Sequence, residues 1–117
     1  MKRDYDYIRE LLFEIEGDPS HIFLASLTIG ASEEAAKKHY HAELLCDAGF
    51  LSKVNDGGVY RLTSQGHDYI EVIRDNSVWN YTKDGAKKIG GATLGMMAEI
   101  ATAYLKREIA EKLGINL

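Results

Sequence analysis

Apolar residues fall at helical spacing from the start of the chain. Tyr5, Ile8, Leu12 and Ile15, with Leu11 beside them, form one stripe and predict a helix over residues 4–16. Gly17-Asp18-Pro19 ends it. Glycine suits a left-handed cap, proline cannot continue the turn, and the residue before proline is pushed towards extended backbone. Residues 22–29 are rich in β-branched and other apolar types and predict a strand, with a short helix as the competing assignment, and Gly30-Ala31 closes the segment. Ser32 then suits an N-cap, and Glu33 and Glu34 occupy the first turn, where the helix dipole favours negative charge. The predicted helix continues to Ala48, with Ala36, Tyr40, Leu44 and Ala48 in one row and Gly49 as its stop.

A hairpin follows over residues 50–62, because Asn55-Asp56-Gly57-Gly58 supplies the residue types that tolerate a tight turn. Thr63 caps a helix over 64–74 with Tyr69, Ile70 and Ile73 inward, and Gly66 suggests close packing of its first turn against the hairpin. Asp75-Asn76-Ser77 reads as a break and a new cap. Val78, Thr82, Ala86 and Ile89 mark the next helix, with Trp79 alongside and Gly85 weakening it. After Gly90-Gly91, a helix over 92–113 carries Met97, Ile100, Ala101, Tyr104, Leu105, Ile109 and Leu113. Helix, glycine stop and two-stranded hairpin in this order predict an α+β fold: a winged helix-turn-helix-like domain with two additional C-terminal helices. The core spans 1–76, and 77–117 is a helical extension of the same domain, a candidate for dimerisation.

Composition narrows the function classes. The chain has 117 residues, 14 Lys and Arg against 18 Asp and Glu, and a formal net charge of -4. That balance is unlike the clearly basic character of many small DNA-binding domains, although a local basic face can still meet phosphate. The single cysteine, Cys46, excludes an internal disulfide framework and fits a reducing compartment. No apolar run approaches a membrane span, and the N-terminus carries no signal-like apolar segment. A cytoplasmic protein without membrane contact is expected.

Several segments resemble one bacterial family. They are Met1-Lys2-Arg3-Asp4, Tyr40-His41 with Leu44-Leu45 and Ala48-Gly49-Phe50-Leu51, and Arg61-Leu62-Thr63 with Gly66-His67-Asp68-Tyr69-Ile70. The later Ile73-Arg74-Asp75 and Val78-Trp79 continue the match. The resemblance is to the domain-of-unknown-function 2513 family, frequent in prophages. It implies a winged-helix fold and no assigned activity. More distantly, the His41 helix is similar to the recognition helix of winged-helix repressors of the arsenic-repressor type. Those repressors carry a serine two residues before the histidine and a leucine after it, where this chain has His39 and Ala42.

Candidate chemistry centres on charge. Lys37, Lys38 and His41 share a helix face, being three and four residues apart. In a winged helix such a face can enter the major groove, with Lys53 and Arg61 on the hairpin holding phosphates. The plainer reading is a solvated face whose lysines offset Glu33 and Glu34. His39 and His41 point about 200° apart on a helix and cannot chelate one ion, so no metal and no cofactor are expected. His67-Asp68 lacks a placed nucleophile, so no enzyme is expected, and His67 reads as a structural group bonding a backbone carbonyl near the hairpin. Trp79 reads as core. Met97, Ile100, Tyr104, Leu105 and Ile109 are the expected dimer interface. The function expected first is a small DNA-binding transcriptional regulator acting as a homodimer on double-stranded DNA. The alternative is a non-enzymatic protein–protein interaction module on the same scaffold, without DNA binding.

Overall fold

The computed structural model describes residues 1–114. It is an α+β chain of five helices and a small three-stranded antiparallel sheet. The elements in order are α1 (Tyr5–Gly17), β1 (Phe23–Leu24), α2 (Glu33–Asp47), β2 (Leu51–Asn55), β3 (Val59–Leu62), α3 (Ser64–Ile73), α4 (Asn76–Lys88) and α5 (Leu94–Leu113). The chain divides into two compact units, Met1–Ile70 and Glu71–Leu117. That division falls inside α3, where the sequence suggested a change of character after residue 76.

In the first unit, each helix begins where a short polar side chain can take up an orphan amide. Asp4 accepts from the Tyr7 amide, Ser32 from that of Ala35, and Thr63 from that of Gly66. Helix α1 buries Ile8, Leu11, Leu12 and Ile15, the stripe predicted from its period. Helix α2 differs from expectation. Its buried residues are His41, Ala42 and Leu45, whereas Tyr40 and Leu44 of the expected row stay half-exposed. Gly49, at φ +84°, ends it, and the Phe50 amide reaches back to the Leu45 carbonyl at 2.9 Å.

The sheet order is β1-β3-β2. Strand β2 pairs with β3 through Leu51 opposite Leu62, Ser52 opposite Arg61 and Lys53 opposite Tyr60, and a bulge then leaves Val54 unopposed. Strand β1 pairs Phe23 with Tyr60 and Leu24 with Val59. The strand expected over 22–29 is thus cut to two residues. Its partner β3 begins at Val59, so the chain runs out of ladder. The Ala25 amide still bonds the Gly58 carbonyl at 2.8 Å and Ser26 Oγ donates to the Gly57 carbonyl at 2.8 Å, after which residues 26–32 carry no strand or helix.

The junction of hairpin and α3 is tight. Thr63 donates its amide to the Phe50 carbonyl and its hydroxyl to the Gly49 carbonyl, and Phe50 stacks on Tyr69 at 4.8 Å. A β-carbon on Gly66 would stand 2.2 Å from the Phe50 carbonyl oxygen, so glycine is required there, as its place in the sequence suggested.

In the second unit α4 packs against α5. Asp75 caps α4 by accepting from the Ser77 and Val78 amides, and Thr93 caps α5. Val78, Trp79, Thr82 and Ala86 are buried, so Trp79 is a core residue, whereas Ile89 is exposed.

Candidate functional site

The helix face expected to enter a groove is turned onto α1. His41 is 0 % exposed. Its Nε2 accepts the Asp4 amide at 3.1 Å, which fixes the ring proton on Nδ1, and Nδ1–H donates to the Lys37 carbonyl at 2.8 Å. Tyr7 and Tyr40 pack on the ring at centroid distances of 4.7 and 5.2 Å. His41 therefore ties the start of α1 to the middle of α2 and offers no nitrogen to a base.

The lysines follow the same face. Lys37 sits 3.8 Å from the Asp4 carboxylate and 4.4 Å above the Tyr7 ring. Lys38 pairs with Glu14 at 3.0 Å and lies 4.8 Å above the Phe23 ring. Both are half-buried, so the expectation of lysines turned outward to water is not met. The exposed residues of α2 are Glu33, Glu34 and Asp47, all acidic. A cleft of about 420 Å³ beside Lys38 adds Glu10 and Glu14 to Glu34.

Glu43 organises the hairpin side of α2. It accepts the Tyr60 hydroxyl, bonds the Lys53 ammonium at 3.0 Å, and lies 3.9 Å from His39 Nε2. The Tyr60 hydrogen bond first, then Lys53, hold the Glu43 carboxyl below the usual glutamate range. Burial, reinforced by that same bond, raises the Tyr60 hydroxyl. His39 Nδ1 bonds the Ala25 carbonyl at 2.8 Å. Lys53 is thus engaged within the protein. Arg61 is not: on the opposite face of β3, it is exposed and makes a single long bond, 3.4 Å, to the Leu62 carbonyl. The structure brings Lys37, Lys38 and His41 together on α1 and leaves Lys53 and Arg61 on opposite faces of the sheet.

Burial and then Glu43 push the Cys46 thiol up to about 11. His67 is exposed, and although its amide bonds the Thr63 carbonyl at 3.0 Å, its imidazole bonds no carbonyl, unlike the expected structural role. Among the described residues no group of three or more His, Cys, Asp or Glu is placed to hold a metal ion, and no helix is long and apolar enough to cross a membrane.

The expected dimer face on α5 is largely used inside the second unit. Met97 is fully buried. An Ile100 methyl lies 3.3 Å from where a Gly85 β-carbon would be, which places Ile100 against α4. Tyr104 packs on Tyr81 at 4.5 Å, with the Arg107 guanidinium over both rings. Leu105 is half-exposed and Ile109 exposed.

Sequence reasoning missed a different surface. Leu24 is 65 % exposed, Leu27 55 % and Ile29 fully so, on β1 and the segment behind it. Val54, at the bulge near the hairpin tip, is also exposed. The β-branched and apolar run at 22–29 was legible, but it reads as a buried strand until the shortness of β3 is known.

The family comparison rests on nearly the same stretch. The sequence profile of the family described as hypothetical protein (DUF2513) matches residues 2–93. The chain belongs to this family. A Haemophilus influenzae (strain ATCC 51907 / DSM 11121 / KW20 / Rd) protein, named only as an uncharacterized protein, is 28% identical over 120 residues, covering 94% of this chain and 100% of the relative. No solved structure matches.

Proposed function

We propose that this chain is a non-enzymatic protein-interaction module on a winged-helix-like scaffold, docking through the apolar surface at β1 and the hairpin tip. The order α1, β1, α2, β2, β3 supports the scaffold. The short helix that would precede a recognition helix has no counterpart, since residues 25–32 carry neither helix nor strand. The observation that carries the reading is the orientation of α2, with its basic face spent on α1 and its exposed charges acidic. A transcriptional regulator would need the opposite. Scattered exposed apolar side chains are ordinary. Here three large ones fall within six residues beside the open edge of the sheet, where a partner gains both apolar burial and strand contact.

The test is affinity capture on the immobilised wild-type chain and on a Leu24→Asp/Leu27→Asp variant, followed by rebinding of the captured protein in purified form. Both side chains are exposed, so the variant keeps its fold by circular dichroism. The expected outcome is a purified partner that binds the wild type and at least about tenfold more weakly the variant, the scale of two lost apolar contacts. Equal binding by both chains would remove this face from the proposal.

A further inference from the structure

The end of α1, the loop after it, β3 and the start of α3 enclose a cleft of about 410 Å³ within the first unit. That volume is in the range of small-molecule sites. Its opposite charges come from different elements. Arg61 comes from β3 and His67 from α3, while Glu16 and Asp18 come from the end of α1 and the loop beyond. His21 lies on that loop too, and Ile15, Pro19 and Leu62 supply apolar lining.

These groups have not neutralised one another. No carboxylate of the described residues comes within 4.0 Å of the Arg61 guanidinium. One Asp18 oxygen accepts the Ser20 amide at 2.8 Å, which holds the carboxylate in place and leaves its other oxygen available. The imidazoles of His21 and His67 make no hydrogen bond or ion pair with the described residues. An anion alone would meet Arg61 but be repelled by Glu16 and Asp18. A cation alone would meet the reverse.

We propose that the cleft binds a small zwitterion of the α-amino acid type with an apolar side chain. Its carboxylate is held by Arg61, whose fork suits that group, and by the His67 imidazole N–H. Its ammonium faces Asp18, and its side chain lies on Ile15, Pro19 and Leu62. This ligand is independent of the protein partner proposed above.

The test is a titration of the full chain with L-leucine, followed through the imidazole proton resonances of His21 and His67. Those of the buried His41 serve as an internal reference. N-acetyl-leucine, without the ammonium, and leucinamide, without the carboxylate, are titrated in parallel, as is an Arg61→Gln variant, which keeps its fold because Arg61 is exposed. The expected result is a saturable shift at His21 and His67 with leucine and none at His41. Each blocked derivative, and Arg61→Gln with leucine, should bind at least about tenfold more weakly, the scale of one charge-assisted hydrogen bond. Absence of a saturable shift with leucine overturns the proposal. So does binding of either derivative as tight as leucine, the behaviour of a peptide-terminus or simple-ion site, and so does an unaffected Arg61→Gln variant.

Discussion

At Gly66 the sequence leaves no room for a side chain. The Phe50 carbonyl oxygen and a Leu62 methyl would stand 2.2 and 2.7 Å from a β-carbon, and the nearer obstacle is backbone that cannot swing aside. Gly66→Ala should therefore cost about 3 kcal/mol, the upper end for overpacking, read as a fall in the urea midpoint. Glu43 gives a pH signature of known sign. Its carboxyl is held below its ordinary range in the folded chain, so it contributes stability that is complete above the unfolded value, about 4.3. That contribution is lost as pH falls through the folded value. Wild type should lose stability more steeply than Glu43→Gln between about pH 5 and 3, by thermal unfolding across that window. Parallel curves would mean that the Tyr60 and Lys53 bonds do not favour the charged form. Gly66 was legible in the sequence because a glycine in a helical first turn has few other reasons to be there. His41 was not. Its burial depends on the Asp4 amide, 37 residues away, and an apolar pattern cannot register a polar ring satisfied by main chain.

Among the elements, α1, the hairpin, α4 and α5 followed their own local signals: an apolar period, a glycine-rich turn, and capping residues. The cap of α4 is directly testable. Asp75→Ala removes acceptors from the Ser77 and Val78 amides and should cost about 1 kcal/mol by chemical denaturation. Two elements misled. In α2 the regular row at 36, 40, 44 and 48 stays half-exposed or exposed, while His41, Ala42 and Leu45 are buried. Helix α2 has no strong apolar stripe, so its orientation is set by what α1 and the sheet demand of it. In β1 the composition favours a strand of eight residues, but length is fixed by the partner, and β3 begins at Val59, so no ladder remains beyond Leu24. The candidate dimer row on α5 is used in part within its own unit, for a related reason. An apolar stripe states that a face packs, not against what, and Tyr104 and Ile100 pack in part on Tyr81 and on the backbone at Gly85 of α4.

For the whole molecule, a net charge of -4 and an element order compatible with a winged helix pull in opposite directions, and side-chain placement favours the first. Individual surface ion pairs are weak, so Lys37 and Lys38 are not locked by Asp4 and Glu14 alone. What commits the face is His41 beneath them and the acidic residues around them. The central claim, that this face is engaged against α1 and not offered to DNA, is tested most directly by fluorescence anisotropy. Labelled duplex fragments covering a bacterial or prophage genome would be titrated with the purified chain over a series of salt concentrations. The account predicts no saturable binding at low salt and no dependence of the signal on salt. Tight binding that weakens steeply with salt, and that Lys37→Ala/Lys38→Ala diminishes, would contradict it.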